Sequence, residues 1–300
     1  MDIYYCFLGR RLSLRPQKRR GPIFLILLIA ILLFSFLIGC NNSAQQAYSH
    51  IYTDGLIEVG GDGKPIKIIN NPEAINPTYM DLIDFIKEDK TDIRYYIEEG
   101  ESAYVCADAS EDVHNNAEAV GIRAAWVSIQ FMGNQPGHAL NAFETVDKGL
   151  VYIDCTGGRS FTTWEEVLST IENDNETDQS LAREPNSWDT IAYVKIGEEY
   201  GVIDIDAAES LSYDYYQDYK RRWEEYHRLL EDYNSGVEEY NQEIVGKLYE
   251  KGSIELAIIQ AMEQSLNEQA KQLDKLREGL SEYWYGMEGR HTVEEIQIHW

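Results

Sequence analysis

Apolar residues fall into three regimes along the chain. From Pro22 to Gly39 (PIFLILLIAILLFSFLIG) they run on without a charge, the length of an export signal's apolar region or of a membrane anchor. From Thr78 the spacing turns helical: Thr78 caps a stretch in which Leu82, Ile83, Phe85 and Ile86 share a face. A second helix is predicted from about Cys106 to Val120, with Ala109, Val113 and Ala117 at helical spacing and Gly121 as its stop. The period then changes to two. Residues 122–131, 138–144 and 150–155 read as strands separated by turns, and 191–205 as one or two more around Gly197 and Gly201. The acidic stretch 172–186 between them reads as loop. Helices followed by a meander of strands make an α+β domain.

Beyond Ala207 the third regime begins. Tyr216, Tyr219, Trp223, Tyr226, Leu230 and Tyr233 open a strict 3,4 spacing that continues to Ile244, the seam of a coiled coil. After Gly252-Ser253, Leu256, Ile259, Met262, Leu266, Leu273 and Leu280 repeat it. An antiparallel helical hairpin buries both stripes. The chain thus divides into a leader or anchor (1–40), an Asn-, Gly- and Ser-rich tether with a short hairpin near Gly60 (41–75), the α+β domain (76–206), the hairpin (207–286) and a C-terminal tail (287–300).

Charge narrows the function classes. The 300 residues carry 26 Lys and Arg against 52 Asp and Glu, a formal net charge of −26. Six of the bases (Arg10, Arg11, Arg15, Lys18, Arg19 and Arg20) precede the apolar run with one acid, Asp2, so the remainder is more acidic still. Such a surface repels phosphate backbones and excludes nucleic acid as a partner. Four cysteines are too few for a disulfide scaffold. The basic cluster before the apolar run places residues 41–300 outside the cytoplasm. The run ends Leu37-Ile38-Gly39-Cys40, which resembles a bacterial lipobox whose cysteine is lipidated after cleavage; an uncleaved single-pass anchor gives the same topology. Cys6 has no role that the sequence supports.

One constellation could do chemistry. Cys106 stands where extended Ser102–Val105 passes into a helix, and a helix N-terminus favours a thiolate. A thiol nucleophile needs a base, and the base an orienting carboxylate. His138 lies on the second strand and Asp154 on the third; if Glu144 pairs with Leu150, Asp154 faces Leu140 and is the diagonal neighbour of His138 on one sheet face. Cys155 then points to the opposite face, into a core. His114, eight residues after Cys106, is grouped with Asn115, Asn116 and Glu118 as a solvated or capped polar face, with support of a groove as the minority role. No spacing suggests zinc, and no glycine-rich phosphate loop follows a strand, so neither a metal nor another cofactor is expected.

Cys106, Gly121-Ile122, His138-Ala139-Leu140 and Asp154-Cys155-Thr156 together resemble the transglutaminase-like superfamily of papain-related cysteine enzymes. The pattern spans Tyr104–Thr156 and implies a fold over roughly residues 76–205: a helix bearing the cysteine packed on an antiparallel sheet. It also implies Cys106 as nucleophile, His138 as general base and Asp154 as orienter. Leu140 replaces the family's usual aromatic, Ala125 its frequent arginine and Cys155 its proline; the triad survives, while the substrate groove departs from the family.

Three functions compete at this point. The first is an exported, membrane-tethered thiol hydrolase or acyltransferase acting on peptide or isopeptide amides of a protein substrate. The second is an inactive envelope module that binds a peptide while the helical hairpin docks a partner or self-associates. The third is a structural tether. Reactivity of Cys106 separates them. The addressing is tested separately: Cys40→Ala should leave an uncleaved precursor without lipid label. A wild-type chain that retains residues 1–39 and takes no label is an anchored protein instead.

Overall fold

The alternating stretches between Ala125 and Asp204 form strands, and a strand from the chain's end joins them. β1 (Ala125–Phe131), β2 (His138–Thr145), β3 (Gly149–Asp154), β4 (Thr190–Tyr193), β5 (Gly201–Asp204) and β6 (Val293–His299) make a six-stranded sheet in the order β5-β4-β3-β2-β1-β6. Every neighbouring pair is antiparallel. This computed structural model describes residues 48–133, 135–156, 160–173, 188–281 and 291–300. The apolar run, Cys6 and Cys40 lie outside the described residues. So do residues 41–47, 174–187 and 282–290, which hold parts of the expected tether, acidic loop, hairpin and tail. Among the described residues, no helix is long and apolar enough to cross a membrane.

Five helices accompany the sheet among the described residues: α1 (Tyr79–Glu88), α2 (Cys106–Ala119), α3 (Trp164–Asn173), α4 (Tyr213–Ile244) and α5 (Ile254–Arg277). The architecture is therefore mixed α and β, as expected. Thr78 caps α1 through a reciprocal capping box with Asp81. α3 was not legible in the sequence; its one fully buried anchor, Val167, packs with Ile97 and Phe161.

The two sheet faces are buried differently. Phe143, Ile153, Ile191 and Ile203 pack against Leu82 and Ile86 of α1 and Val113 and Ala117 of α2. The opposite face, with Val127, Ile129, Phe131, Leu140 and Ala142, has its own core. That face curls on itself. The segment before β5 meets β6 through Tyr200 N–H to His291 C=O (2.8 Å), Gly197 N–H to Val293 C=O (2.8 Å) and Val293 N–H to Glu198 C=O (2.9 Å). The two edges are thereby paired with each other at one end, as in a barrel.

Three expected boundaries are corrected. Residues 48–75 are no tether: Ile51, Ile66 and Ile68 are buried with Trp126 and Ala139. Their backbone is held by the polar face of α2. Asp108 accepts from Gly61 N–H (2.8 Å), Asn115 accepts from Ile69 N–H (2.8 Å) and donates to Lys67 C=O (3.0 Å), and Glu118 accepts from Asn71 N–H (2.7 Å) and Ala124 N–H (2.9 Å). His114 is buried at hydrogen-bond distance from Asn70 (3.0 Å) and is not solvated. Gly60 has no room for a side chain there, since a Cβ would sit 1.9 Å from the Asp108 carboxylate.

The second correction is the boundary at residue 207. Tyr216, Tyr219 and Trp223, expected in a seam between helices, complete the main core beside Tyr193 and Ile203. Tyr216 lies so close to β5 that a Cβ on Gly201 would fall 1.9 Å from its hydroxyl. Farther out α4 and α5 do run antiparallel: Tyr219 bonds Ser281 (2.7 Å), while Gly236 faces Leu266. The third correction is the tail. Its residues 293–299 are β6, with Val293 fully buried.

The shared core gives a prediction. Trp223→Ala should destabilise the whole domain by about 3–5 kcal/mol, the range for an aromatic removed from a packed core. Sheet and helix signals should melt together at a lower temperature. If the sheet melted as in the wild type while helix alone was lost, α4 would be an independent unit.

Candidate active site

Cys106 is the first residue of α2, and several contacts fix that turn. Val105 precedes it in extended conformation, and its N–H is capped by Asp108 (2.9 Å). Trp126 of β1 donates its indole N–H to Ala107 C=O (3.3 Å), and Asn141 of β2 donates to Ser110 C=O (2.9 Å). The helix start is thus tied to β2, which carries His138, and to its neighbour β1.

His138 is the first residue of β2 and pairs with Ile129 across the sheet. Glu144 does pair with Leu150, and Asn141 with Ile153, so His138 and Asp154 are on one face as the alternation requires. His138 Nε2 lies 2.8 Å from Asp154 Oδ2, with both side chains more than nine-tenths buried. The Cys106 thiol interacts with the same imidazole, whose charge favours its thiolate. The structure brings all three expected residues together.

Two groups at Asp154 were not foreseen. Tyr200, on the segment before β5, donates its hydroxyl to Asp154 Oδ2 (2.6 Å) and packs edge-on against the His138 ring at 5.4 Å. Thr156 donates its N–H to Asp154 Oδ1 (2.9 Å), and its hydroxyl bonds the same oxygen. Tyr200 is 46 residues from Asp154, a pairing that depends on the curl of the sheet. Tyr96 was also missed. The antiparallel bridge Ile97–Tyr104 sets it opposite Val105, beside Cys106, with which its hydroxyl interacts.

Burial alone would neutralise this trio, and hydrogen bonds reverse the outcome. For Asp154, burial raises the pKa, but the His138 charge and the bonds from His138, Thr156 and Tyr200 hold it at about 2. For His138, burial lowers the pKa, while Asp154 and then Cys106 push it up to about 10. For Cys106, burial raises the pKa, but the His138 bond and charge and the Ala139 N–H bring it below the ordinary thiol value. Both shifts favour the thiolate–imidazolium pair. Cys155 shows the contrast: pointing into the main core, it is pushed well above the usual range by burial and by Asp189. Both cysteines are free thiols.

A cleft of ≈ 490 Å³ opens beside Cys106 and His138. Trp126, Ala107 and Ala139 are among the apolar residues that line it. Among the described residues, no group of three or more His, Cys, Asp or Glu could hold a metal ion. No family model matches the chain, and no curated protein and no solved structure does either, so the chemistry rests on this geometry alone.

The paired shifts give a pH prediction. The rate of Cys106 alkylation should rise through a midpoint below that of a free cysteine (~8.5). His138→Ala should move the midpoint above it, and Tyr200→Phe should shift it upward by less. The linkage has two signs. The low pKa of Asp154 contributes stability that is present above its unfolded value of ~3.9 and lost as pH falls toward 2. The high pKa of His138 contributes stability that is full below ~6.5 and lost as pH rises through about 10. An alkylation midpoint that His138→Ala leaves in place would dismiss the ion pair.

Proposed function

We propose that the protein is an exported, membrane-tethered thiol enzyme that acts on peptide or isopeptide amide bonds through Cys106, His138 and Asp154. The observation that carries this reading is the hydrogen bond from His138 to a buried, ionised Asp154, with the Cys106 thiol interacting with the same imidazole at the edge of a cleft. A structural role for the three needs neither a depressed thiol pKa nor access to solvent-sized space. In the fold, the cysteine-bearing helix against an antiparallel sheet fits the transglutaminase-like resemblance, with the outer part of α4 and α5 as a coiled-coil hairpin beyond the catalytic core.

The chemistry follows from the groups in place. The Cys106 thiolate attacks an amide carbonyl, and its own backbone N–H at the start of α2 holds the oxyanion. Collapse breaks the C–N bond; His138 gives its proton to the leaving amine. The acyl group then sits on sulfur as a thioester. Neutral His138 next takes a proton from water or from an amine, which attacks the thioester and restores the thiolate. Water gives hydrolysis, and an amine gives transfer. Asp154 keeps the imidazole oriented and stabilises its charged form.

The test is trapping. The full-length chain in detergent, mixed with amide-bearing peptides and quenched in acid, should carry a thioester on Cys106 detectable by mass spectrometry. Cys106→Ala should abolish turnover, and His138→Ala and Asp154→Asn should reduce it by about 10³- to 10⁴-fold. Peptide binding without any thioester or turnover would leave an inactive binding module.

A further inference from the structure

The short strands of residues 48–68 have two faces of opposite character. Ile51, Ile66 and Ile68 turn inward and are buried with Trp126 and Ala139. By alternation Tyr48, His50 and Tyr52 turn outward. Tyr52 pairs with Ile57, and His50 with Lys67, so Ile57, Lys67 and, two residues beyond Ile57, Val59 share that outer face. The row is left open: Tyr48 is 53% exposed, Tyr52 54%, Ile57 39% and Val59 44%, with Leu56 at the turn 74% exposed. Exposed apolar side chains scattered singly need no explanation, whereas a contiguous row marks an interaction surface.

Charge says what kind of surface it meets. The chain has 52 acids against 26 bases, yet this outer face carries none of the acids. The three acids of residues 48–68 are placed elsewhere. Asp54, at a turn, accepts from Gln130 (3.2 Å) and Gln297 (3.4 Å), Asp62, at the other turn, is paired with Lys64, and Glu58 lies among the residues lining the cleft beside Cys106. The one full cation on the outer face is Lys67, whose Nζ stands 5.4 Å from the Tyr48 ring. Tyrosines and aliphatic residues with a lysine at their edge, and no acid, match the chemistry of a bilayer interface. Chain length points the same way. Tyr48 follows Cys40 by eight residues, a reach of at most ~29 Å. So short a link from a membrane anchor gives the face a high effective concentration at the bilayer.

We infer that Tyr48, Tyr52, Ile57 and Val59, with Lys67 at their edge, are a docking face for the lipid bilayer surface. The inference rests on the membrane-tethered part of the reading above and adds where the tethered enzyme works. Glu58, in the same hairpin, lines the cleft beside Cys106, so docking holds that cleft at the bilayer and favours amides of membrane-bound substrates.

Lipid photolabelling tests it. The full-length chain is reconstituted in phosphatidylcholine vesicles containing a phosphatidylcholine with a diazirine near the glycerol end of one acyl chain. Light expels dinitrogen, and the carbene left behind inserts into a neighbouring C–H or O–H bond, so mass spectrometry of peptides locates the added lipid. Leu248 and Ile254, 102% and 78% exposed at the turn between α4 and α5, are the reference for chance encounters. Residues 48–59 should take severalfold more label than residues 245–258. Tyr52→Asp combined with Ile57→Asp should lower that label to the reference level, and Ile57→Leu should keep it. The wild-type pattern is decisive by itself if the double variant disturbs the hairpin. Label at 48–59 no higher than the reference, in a chain that floats with the vesicles, would overturn the docking face and leave it to a protein partner while sparing the tether. A preference for 48–59 that survives the double variant would remove it from these side chains. A chain that does not float with the vesicles would overturn the tether and this inference together.

Discussion

Everything at the site hangs on one buried charge. Asp154 is 5% exposed, and an isolated carboxylate at that depth would cost far more than the fold could offset. It remains ionised because four bonds converge on its two oxygens: His138 and Tyr200 on Oδ2, and the Thr156 N–H and hydroxyl on Oδ1. Its backbone carbonyl is held as well, by the Thr190 hydroxyl at 2.8 Å. Each partner comes from a different part of the sheet: β2, the turn after β3, β4 and the segment before β5. The carboxylate therefore specifies how the strands converge, and the strands in turn make its charge tolerable. The imidazolium of His138 follows from that charge, and the thiolate of Cys106 from the imidazolium.

The sequence supplied the middle of this arrangement. Cys106, His138 and Asp154 were legible because each depends on local order: a helix start, a strand start, and an alternation that a short turn brings into register. Tyr200 and Tyr96 were not, since their roles depend on long-range closure of the sheet and on a bridge of two residues. Neither leaves a periodic trace. The segment 48–75 was misread for a related reason. Its Asn and Gly content resembles a linker, yet its backbone bonds are completed by Asp108, Asn115 and Glu118, side chains some 46 residues away. Composition reports what a segment contains and is silent about the helix face that awaits it.

The aromatic stripe of α4 shows the same limit from the other side. Its 3,4 spacing identifies a buried helix face, and that much is correct. Spacing cannot say which neighbour covers the face. The first three turns lie on the sheet, where Tyr216 stacks on Tyr193 at 5.3 Å, with Trp223 at their end also under Arg277 of α5, and the later turns face α5. One helix thus serves two cores. The hairpin is anchored in the domain that carries the site, so the two are not separable at residue 207.

The origin of the cleft walls orders the assembly of the site. Cys106, His138 and Asp154 lie on neighbouring elements whose contacts are short in sequence. Thr53 and Glu58 come from one end of the described chain and Glu294 from the other, where β6 pairs with β1 across more than 160 residues. Closing so long a loop costs entropy that only the finished sheet repays, so pairing of β6 belongs to the late steps of folding. A chain still folding can thus bring Cys106, His138 and Asp154 together before Thr53, Glu58 and Glu294 close the cleft beside them.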